Sequence, residues 1–482
     1  MERPKSFIPI PRMKYCYFLS LCYALIISGC TGDSKENDTI YLGGQINNPE
    51  TDFVVISKEN EIIDTLFLDA KNQFGKNYQK LEAGIYTFNH PPESQIMYME
   101  PGDSVLIYLN TLSFDESLNF SGSGSEKSNF LLDMFLKNEL NNELILTYYK
   151  IAPSEFARIT DSIRQQRIDK LNILSEDREF SEEFMEIARA SIDYEYFDLR
   201  ERYTFLINKY RKDFIDQFPK DFNNYRNEID FNNRELQDYY VYTNFIDDYL
   251  RSKAIEYCTK THNEHKDCYN INSYKNIERR IILIDSLSNI ESLKNEFLDR
   301  LATQAIVNAE KASRIDSLLR LLKNIEYTHL KDAQELARIQ KVYLNGQSLA
   351  DLWAMNTAGQ EMTYGEIIKR PTVTYAWSLY APAHHRWQHN IIKTLRKKYP
   401  QVDFIGVNVD INDREEWLRT LETFGYDKSF EYQIARRKIS RDSYRRYLNK
   451  LFFVNNDAII VKGDIQFGNT DFEEELEKFI AQ

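Results

Sequence analysis

The hydrophobic period of this chain changes twice along its length, and one uniform layer of structure cannot satisfy all three patterns. From residue 39 to 122, apolar residues alternate in short runs (TIYLGGQI, DFVVISK, EIIDTLFLD, GIYTFNH, QIMYMEP, DSVLIYLN) broken by Asn-Pro, Pro-Pro and Pro-Gly. Period-two alternation between turn residues predicts antiparallel strands, so this stretch reads as a small β-sandwich. After Gly124 glycine drops out until 346, and apolar residues recur at helical spacing: Ile277, Ile281 and Ile284, then Leu293, Phe297 and Leu301. One buried stripe per helix predicts a helical domain over 123–345, with Ser273 as a cap and the aromatic run DYEYFDLRERYTF as core filler. From 346 to 482 strands and helices alternate. Thr372 to Trp377 reads as a buried strand, 380–398 as a helix, 402–409 as a strand and 414–424 as a helix. A hairpin follows, made of Leu451 to Val454 and Ala458 to Lys462 around Asn455-Asn456-Asp457, and 471–481 is a last helix. The fold class is α+β multidomain: an antiparallel β-sandwich, a central helical region and a C-terminal α/β domain.

The first 29 residues have a different character. Arg12 and Lys14 precede the apolar run YCYFLSLCYALII, too short to span a bilayer and shaped like a secretory signal, and Ile27-Ser28-Gly29-Cys30 follows directly. This segment resembles the bacterial lipobox, in which the cysteine is lipidated and becomes the first mature residue. The resemblance implies a signal peptide over 1–29, an acylated Cys30, and a polar tether over 30–38. Two or more acyl chains hold a protein on a membrane that it does not cross. Thr31 stands after the cysteine where an inner-membrane retention aspartate might stand, which favours the outer membrane. Basic residues are concentrated in this leader, so the remainder is more acidic than the net −13 of the whole chain. That acidity argues against nucleic acid as a partner.

The exit of the strand region, MEPGDSVLIYLN with NFSGSGSEKSNFL, resembles the N-terminal β domain that precedes thioredoxin-like domains in many Bacteroidota lipoproteins. The C-terminal stretch resembles the TlpA-like thioredoxin family over LWAMNTAGQEMTYGEIIKRPTVTYAWSLYAP and DFIGVNVDINDREEW. In that family a Cys-x-x-Cys turn at a helix N-terminus supplies a thiolate of lowered pKa, and a second thiol resolves the mixed disulfide. Here the turn is Ala381, Pro382, Ala383, His384, with neither sulfur present. The family's cis-proline position falls on Asn449-Lys450, where a trans peptide is expected because a cis bond before a non-proline costs about 2.5–4 kcal/mol. The hairpin turn lacks its usual glycine, leaving Asn456 and Asp457 to take a left-handed conformation.

The resulting expectation is a lipid-anchored envelope protein that binds a protein or peptide through the former active-site face, a groove of Trp377, Tyr380, Pro382, His384 and Asn449, with no cofactor, metal or catalytic residue. Two alternatives stand beside it: a divergent thiol-disulfide oxidoreductase, and an accessory lipoprotein of a nutrient-uptake system. His385 and His389 have metal-ligand spacing but no evident third ligand, and read as exposed residues of a helix start. Cys258 and Cys268 bracket His262 and His265, and read as a local disulfide ahead of free thiols or a metal loop. The basic run Arg436, Arg437, Lys438, Arg441, Arg445, Arg446 reads as a solvated helix face. Asp64-Thr65-Leu66 and Asp103-Ser104-Val105 resemble the O-glycosylation sequon of Bacteroidota envelope proteins.

Overall fold

The computed structural model describes residues 39–481 apart from 60, 262–265, 412, 436–447, 449 and 470. Cys30, the signal and tether segments, His262, His265, Asn449 and the six basic residues of 436–446 lie outside the described residues. By contacts the chain divides into two compact units: residues 1–143 with 168–192, and residues 144–167 with 193–482. The helical middle is shared between them, because the division cuts through its first three helices.

The first unit holds eight strands: β1 (Thr39–Asn47), β2 (Phe53–Lys58), β3 (Glu61–Phe67), β4 (Gln73–Gln79), β5 (Gly84–His90), β6 (Glu93–Met99), β7 (Ser104–Asn110) and β8 (Asn119–Ser123). They form two four-stranded sheets, ordered β4-β1-β7-β8 and β3-β2-β5-β6. Alternate residues point into one core: Ile40 and Leu42, Val54 and Ile56, Tyr86 and Phe88, Val105, Ile107 and Leu109. The expectation of an antiparallel sandwich needs one correction, since β1 and β7 pair in parallel, Tyr41 against Ser104 through Asn47 against Asn110. A parallel pair requires a long crossover, and here the strands of the opposite sheet supply it.

The PGDS and GSEKSN motifs meet at the edge of this unit, where helix α1 (Ser125–Tyr148) begins. Buried Lys127 donates to Glu100 Oε1 at 2.6 Å and to Asp103 Oδ1 at 2.8 Å. The other Asp103 oxygen accepts from the Glu100 amide. Ser128 bonds to both backbone groups of Tyr98, and Asn129 to both of Phe120. Gly124, at φ +85°, lies directly over Asp103: a Cβ there would stand 1.9 Å from its Oδ1. Three consecutive side chains therefore fasten the helix start to the sandwich.

Helices α2 (Pro153–Glu176) and α3 (Glu182–Tyr210) follow, then α4 (Tyr240–Thr261), α5 (Tyr274–Leu287), α6 (Glu291–Val307), α7 (Ala312–Asn324) and α8 (Leu330–Val342). Ser273 caps α5 by accepting from the Asn276 amide. Ile277, Ile281 and Ile284 are fully buried, as are Leu293, Phe297 and Leu301 to within 1%. Glu201, buried in α3, is paired by Arg226 and accepts from the Tyr225 hydroxyl, which keeps its charge compensated.

The C-terminal residues build a seven-stranded sheet from β9 (Trp353–Met355), β10 (Glu361–Thr363), β11 (Thr372–Trp377), β12 (Asp403–Asn408), β13 (Glu431–Ile434), β14 (Leu451–Val454) and β15 (Ile460–Ile465), in the order β10-β9-β13-β12-β11-β14-β15. Strand β11 runs parallel to β12 and antiparallel to β14. With helices α9 (Pro382–Lys398), α10 (Arg414–Phe424) and α11 (Phe472–Ile480) the order is the β-α-β-α-β-β-α of a thioredoxin-like domain with β13 inserted after α10. The core joins Val373, Tyr375 and Trp377 to Ile392, Trp417, Leu421 and Leu476. Strand β13, parallel to β12, is absent from the sequence reading because four residues, two of them Glu and Gln, give no alternation to detect. The hairpin differs too: Ala458, at φ +58°, and neither Asn456 nor Asp457, takes the left-handed position. The Asn455 carboxamide accepts from the amides of Asp457 and Ile459, which sets where the chain turns over.

Candidate functional site

The turn between β11 and α9 is held by a buried carboxylate as well as by its own residues, since Ser378 accepts from the Tyr380 amide through Oγ and from the Ala381 amide through its carbonyl. Buried Asp410, just past β12, accepts from the Leu379 amide at 2.7 Å and from Ser378 Oγ at 3.1 Å. The Asn408 side chain donates to the same carboxylate, and Gln433 on β13 donates to Asn408 Oδ1 and to the Asp410 carbonyl. Ala381 is the N-cap of α9 and has no side chain with which to cap it; Pro382 opens the helix, where a missing N–H costs nothing. His384 is half-buried with its ring against Trp387.

Under this turn lies a buried polar cluster. Glu431, fully buried on β13, accepts from Tyr375 Oη at 3.0 Å and from Trp377 Nε1 at 2.9 Å, and its Oε1 lies 3.2 Å from His389 Nε2. His389 Nδ1 faces the His385 carbonyl at 2.7 Å and must be its donor, because a carbonyl only accepts. The His389 ring stacks on Tyr426 with centroids 3.5 Å apart, and the Tyr426 hydroxyl lies 2.8 Å from His385 Nδ1. Gly406 on β12 leaves the space that the carboxylate occupies: a Cβ there would fall 2.4 Å from Glu431 Oε2.

The electrostatics follow from burial. His385 is held down to about 4, first by desolvation and then by the positive charges of His389, Arg386 and His384. Tyr426 is pushed up to about 12 by burial and by Glu431, and the Tyr375 phenol is raised well above its usual range for the same two reasons. The arrangement fixes aromatic rings and a helix start in place. It offers no nucleophile at the surface.

Two sequence expectations need correction here. Trp377 does not line a groove: it is fully buried, because its indole N–H finds an acceptor only in Glu431. His385 and His389 are not exposed helix-start residues but are buried at 2% and 7% exposure, facing the sheet. No group of three or more potential metal ligands occurs among the described residues. Of the expected groove, Tyr380 is 60% exposed with its hydroxyl donating to Asp413, Pro382 is exposed and His384 half-buried. Sequence reasoning missed Glu431, Asp410 and Tyr426. A signal for the first was present, since Tyr375 and Trp377 share one strand face and each carries a polar tip that needs a buried partner.

Two further aromatics are exposed beside the turn, Trp387 at 46% and Phe424 at 43%. Arg386 lies 5.8 Å from the Phe424 ring centroid, and Trp387 meets Phe467 edge-on at 6.0 Å. Elsewhere in this unit Cys258 and Cys268 form a disulfide. Lys450 is buried and donates to the carbonyl of Val307, the last residue of α6. No helix among the described residues is long and apolar enough to cross a membrane.

No protein-family model and no curated protein matches the chain. Among solved structures it is similar to the thioredoxin domain of a thiol-disulfide oxidoreductase from Bacteroides vulgatus, at 15% identity over 28% of this chain and 97% of that one, with a TM-score of 0.22. A thiol:disulfide interchange protein from Bacteroides sp. gives 15% identity over 29% and 91%, TM-score 0.21. A SCO1/SenC family lipoprotein from Bacillus anthracis str. Ames gives 13% over 28% and 96%, TM-score 0.24. The thioredoxin-like assignment of the C-terminal domain rests on the strand order and helix placement of the chain itself.

Proposed function

We propose that this protein is an envelope lipoprotein, anchored through Cys30, whose thioredoxin-like domain binds an extended segment of a polypeptide partner and performs no thiol exchange at the α9 turn. The observation that carries this reading is the occupancy of that turn. Ala381 and His384 stand where the family's exchange chemistry needs two sulfurs, above a carboxylate already engaged by Tyr375, Trp377 and His389. Around the same helix start, Tyr380, Trp387 and Phe424 expose large rings with Arg386 among them. Aromatic and arginine side chains on a rigid base suit recognition, since they bury much area for little loss of rotamer freedom.

The test has two arms. In an insulin-reduction assay with dithiothreitol as the source of electrons, the full chain gives no turnover above background. A photo-reactive residue in place of Trp387 cross-links in intact cells to one discrete polypeptide, and Tyr380→Ala with Phe424→Ala removes the adduct. Turnover, or an adduct that survives the aromatic replacements, defeats the proposal. A divergent oxidoreductase remains the second reading, supported by the Cys258–Cys268 pair, and it requires turnover that Cys258→Ser abolishes. Anchoring is tested separately: Cys30→Ser releases the protein from the membrane fraction, and retention there sinks the lipid-anchor claim.

A further inference from the structure

A cavity of about 720 Å³ opens in the helical part of the second unit, with the Cys258–Cys268 bridge in its wall. That volume falls in the range of small-molecule sites. Beside an apolar part made by Ile277, Ala305 and Ala309, its lining has polar groups of mixed sign. Asn270, Asn272 and Asn308 contribute carboxamides, Lys275 and Arg314 two cations, and Glu310 one anion. This is a local excess of positive charge in a chain of net −13. Both cations sit in first turns, Lys275 in α5 and Arg314 in α7, helices of 14 and 13 residues. The unpaired amides of a helix start carry partial positive charge, and Lys311, the N-cap of α7, makes no side-chain cap bond to them.

A second, smaller cavity of about 230 Å³ shares Cys258 and Lys275 with the first and is lined by Asn276. Asn276 is 2% exposed and commits both amide hydrogens, to the Cys268 carbonyl at 2.8 Å and the Asn270 carbonyl at 2.7 Å. Its Oδ1 is buried and has no hydrogen-bond partner. A buried acceptor left without a donor is uncommon, and this one belongs to a residue of the cavity wall. The wall between is preorganised: the disulfide, Asn276, and Arg280 donating to the Ile271 carbonyl at 2.8 Å tie down residues 268–271. A fixed wall removes the ordering cost that a loose loop would impose on binding.

We infer that these adjoining cavities form a binding site for a small anion that also carries hydroxyl groups, its carboxylate or phosphate held by Lys275, Arg314 and the uncapped start of α7, its hydroxyls by the asparagine carboxamides. The site is independent of the α9 turn and of the reading given to it. Titration calorimetry of the full oxidised chain with glucuronate, glucose 6-phosphate and uncharged glucose tests it. At least one of the two anions binds, and glucose binds at least about tenfold more weakly, the loss expected when a charge-assisted contact is absent. Lys275→Ala and Arg314→Ala, both at exposed positions, each weaken the anion by about tenfold while the far-ultraviolet spectrum stays unchanged. Preference for glucuronate assigns the site to carboxylates, and preference for the phosphate assigns it to phosphorylated ligands. Absence of heat with both anions, equal binding of glucose, or affinity indifferent to both substitutions overturns the inference.

Discussion

Two of the protein's buried carboxylate clusters, one in each unit, solve the same problem in opposite ways. In the first unit Asp103 and Glu100 face an ammonium, Lys127, and all three residues come from two short stretches at the ends of a strand and a helix. In the second unit Glu431 is met by an indole, a phenol and an imidazole from β11 and α9, gathered by tertiary structure alone. Each carboxylate has a glycine above it, Gly124 over Asp103 and Gly406 over Glu431. The first cluster compensates charge with charge and fastens a helix to a sheet. The second surrounds one charge with donors, and so fixes the aromatic floor of the α9 turn.

The largest effect is expected where no countercharge can be recovered from solvent. Glu431→Leu leaves the Trp377 N–H and the Tyr375 O–H without an acceptor in a dry interior, and should cost about 3–5 kcal/mol. Glu431→Gln, which keeps the shape and one acceptor oxygen, should cost about 1–2 kcal/mol. All four tryptophans, at 353, 377, 387 and 417, lie in the second unit, so urea unfolding followed by tryptophan fluorescence reads this unit alone. Equal costs for the two variants would mean that packing, and not donor satisfaction, governs the cluster.

Lys127→Met sharpens the contrast. It strands two carboxylates, but Asp103 already has a raised pKa, chiefly from burial, and Glu100 is partly exposed. The cost should therefore be smaller, about 2–3 kcal/mol at neutral pH. It should also shrink on acidification. A carboxyl whose folded pKa is raised binds protons in the folded state first, so it gains stability as pH falls towards 4 and loses it as pH rises. Hydrogen exchange in β7 and α1 should register the change while the tryptophan transition stays where it was. A pH-independent cost would show that Asp103 takes no part.

The glycines come next. Gly406→Ala presses a methyl against a carboxylate that Tyr375 and Trp377 hold in place, and should cost about 1–3 kcal/mol. Gly124→Ala meets a still closer oxygen, at 1.9 Å against 2.4 Å, and adds the strain of φ +85°, for a cost in the same range at its upper end. Gly406→Ala combined with Glu431→Gln should be less than additive, because the two changes act on one group. Additivity would remove Glu431 as the reason for the glycine.

How legible these features were in sequence follows from how they are assembled. The three regimes of hydrophobic period gave the sandwich, the helical stripe of Ile277, Ile281 and Ile284, and the C-terminal order of strands and helices, since each is a repeat within one segment. The missing sulfurs at 381 and 384 were legible because the turn is contiguous. Glu431 was not, because a charged residue on a four-residue strand looks like surface until the topology places β13 beside β12. His385 and His389 misled for a related reason: their spacing specifies a helix face but not what covers it, and Tyr426 and the sheet do. The parallel pairing of β1 with β7 was hidden as well, because alternation is the same for either strand direction. Lys450 was read only as part of the Asn449-Lys450 pair at the lost cis-proline position, yet it reaches a helix end 143 residues earlier in the chain.

The last effect separates the two clusters by pH. His385 has its pKa lowered to about 4, mainly by desolvation, from an ordinary value of 6.5. In the unfolded chain it takes up a proton as pH falls through 6.5, whereas in the folded protein it does not until about 4. Its contribution to stability is thus complete above 6.5 and is lost progressively between 6.5 and 4, by about 3 kcal/mol at most. Carboxylates of the same unit with lowered pKa, among them Glu256 held by Arg226 against its own burial, lose stability on acidification too, but only below their unfolded pKa near 4.5. The His385 term is therefore isolated by the difference between the native protein and His385→Phe, measured by tryptophan fluorescence from pH 7 to pH 4.5. The native protein should lose stability faster over this interval, in the opposite direction to Asp103 in the first unit. If both slopes are the same, His385 is solvated in the folded state, and the floor of the α9 turn is not the dry aromatic layer on which the contrast between the clusters depends.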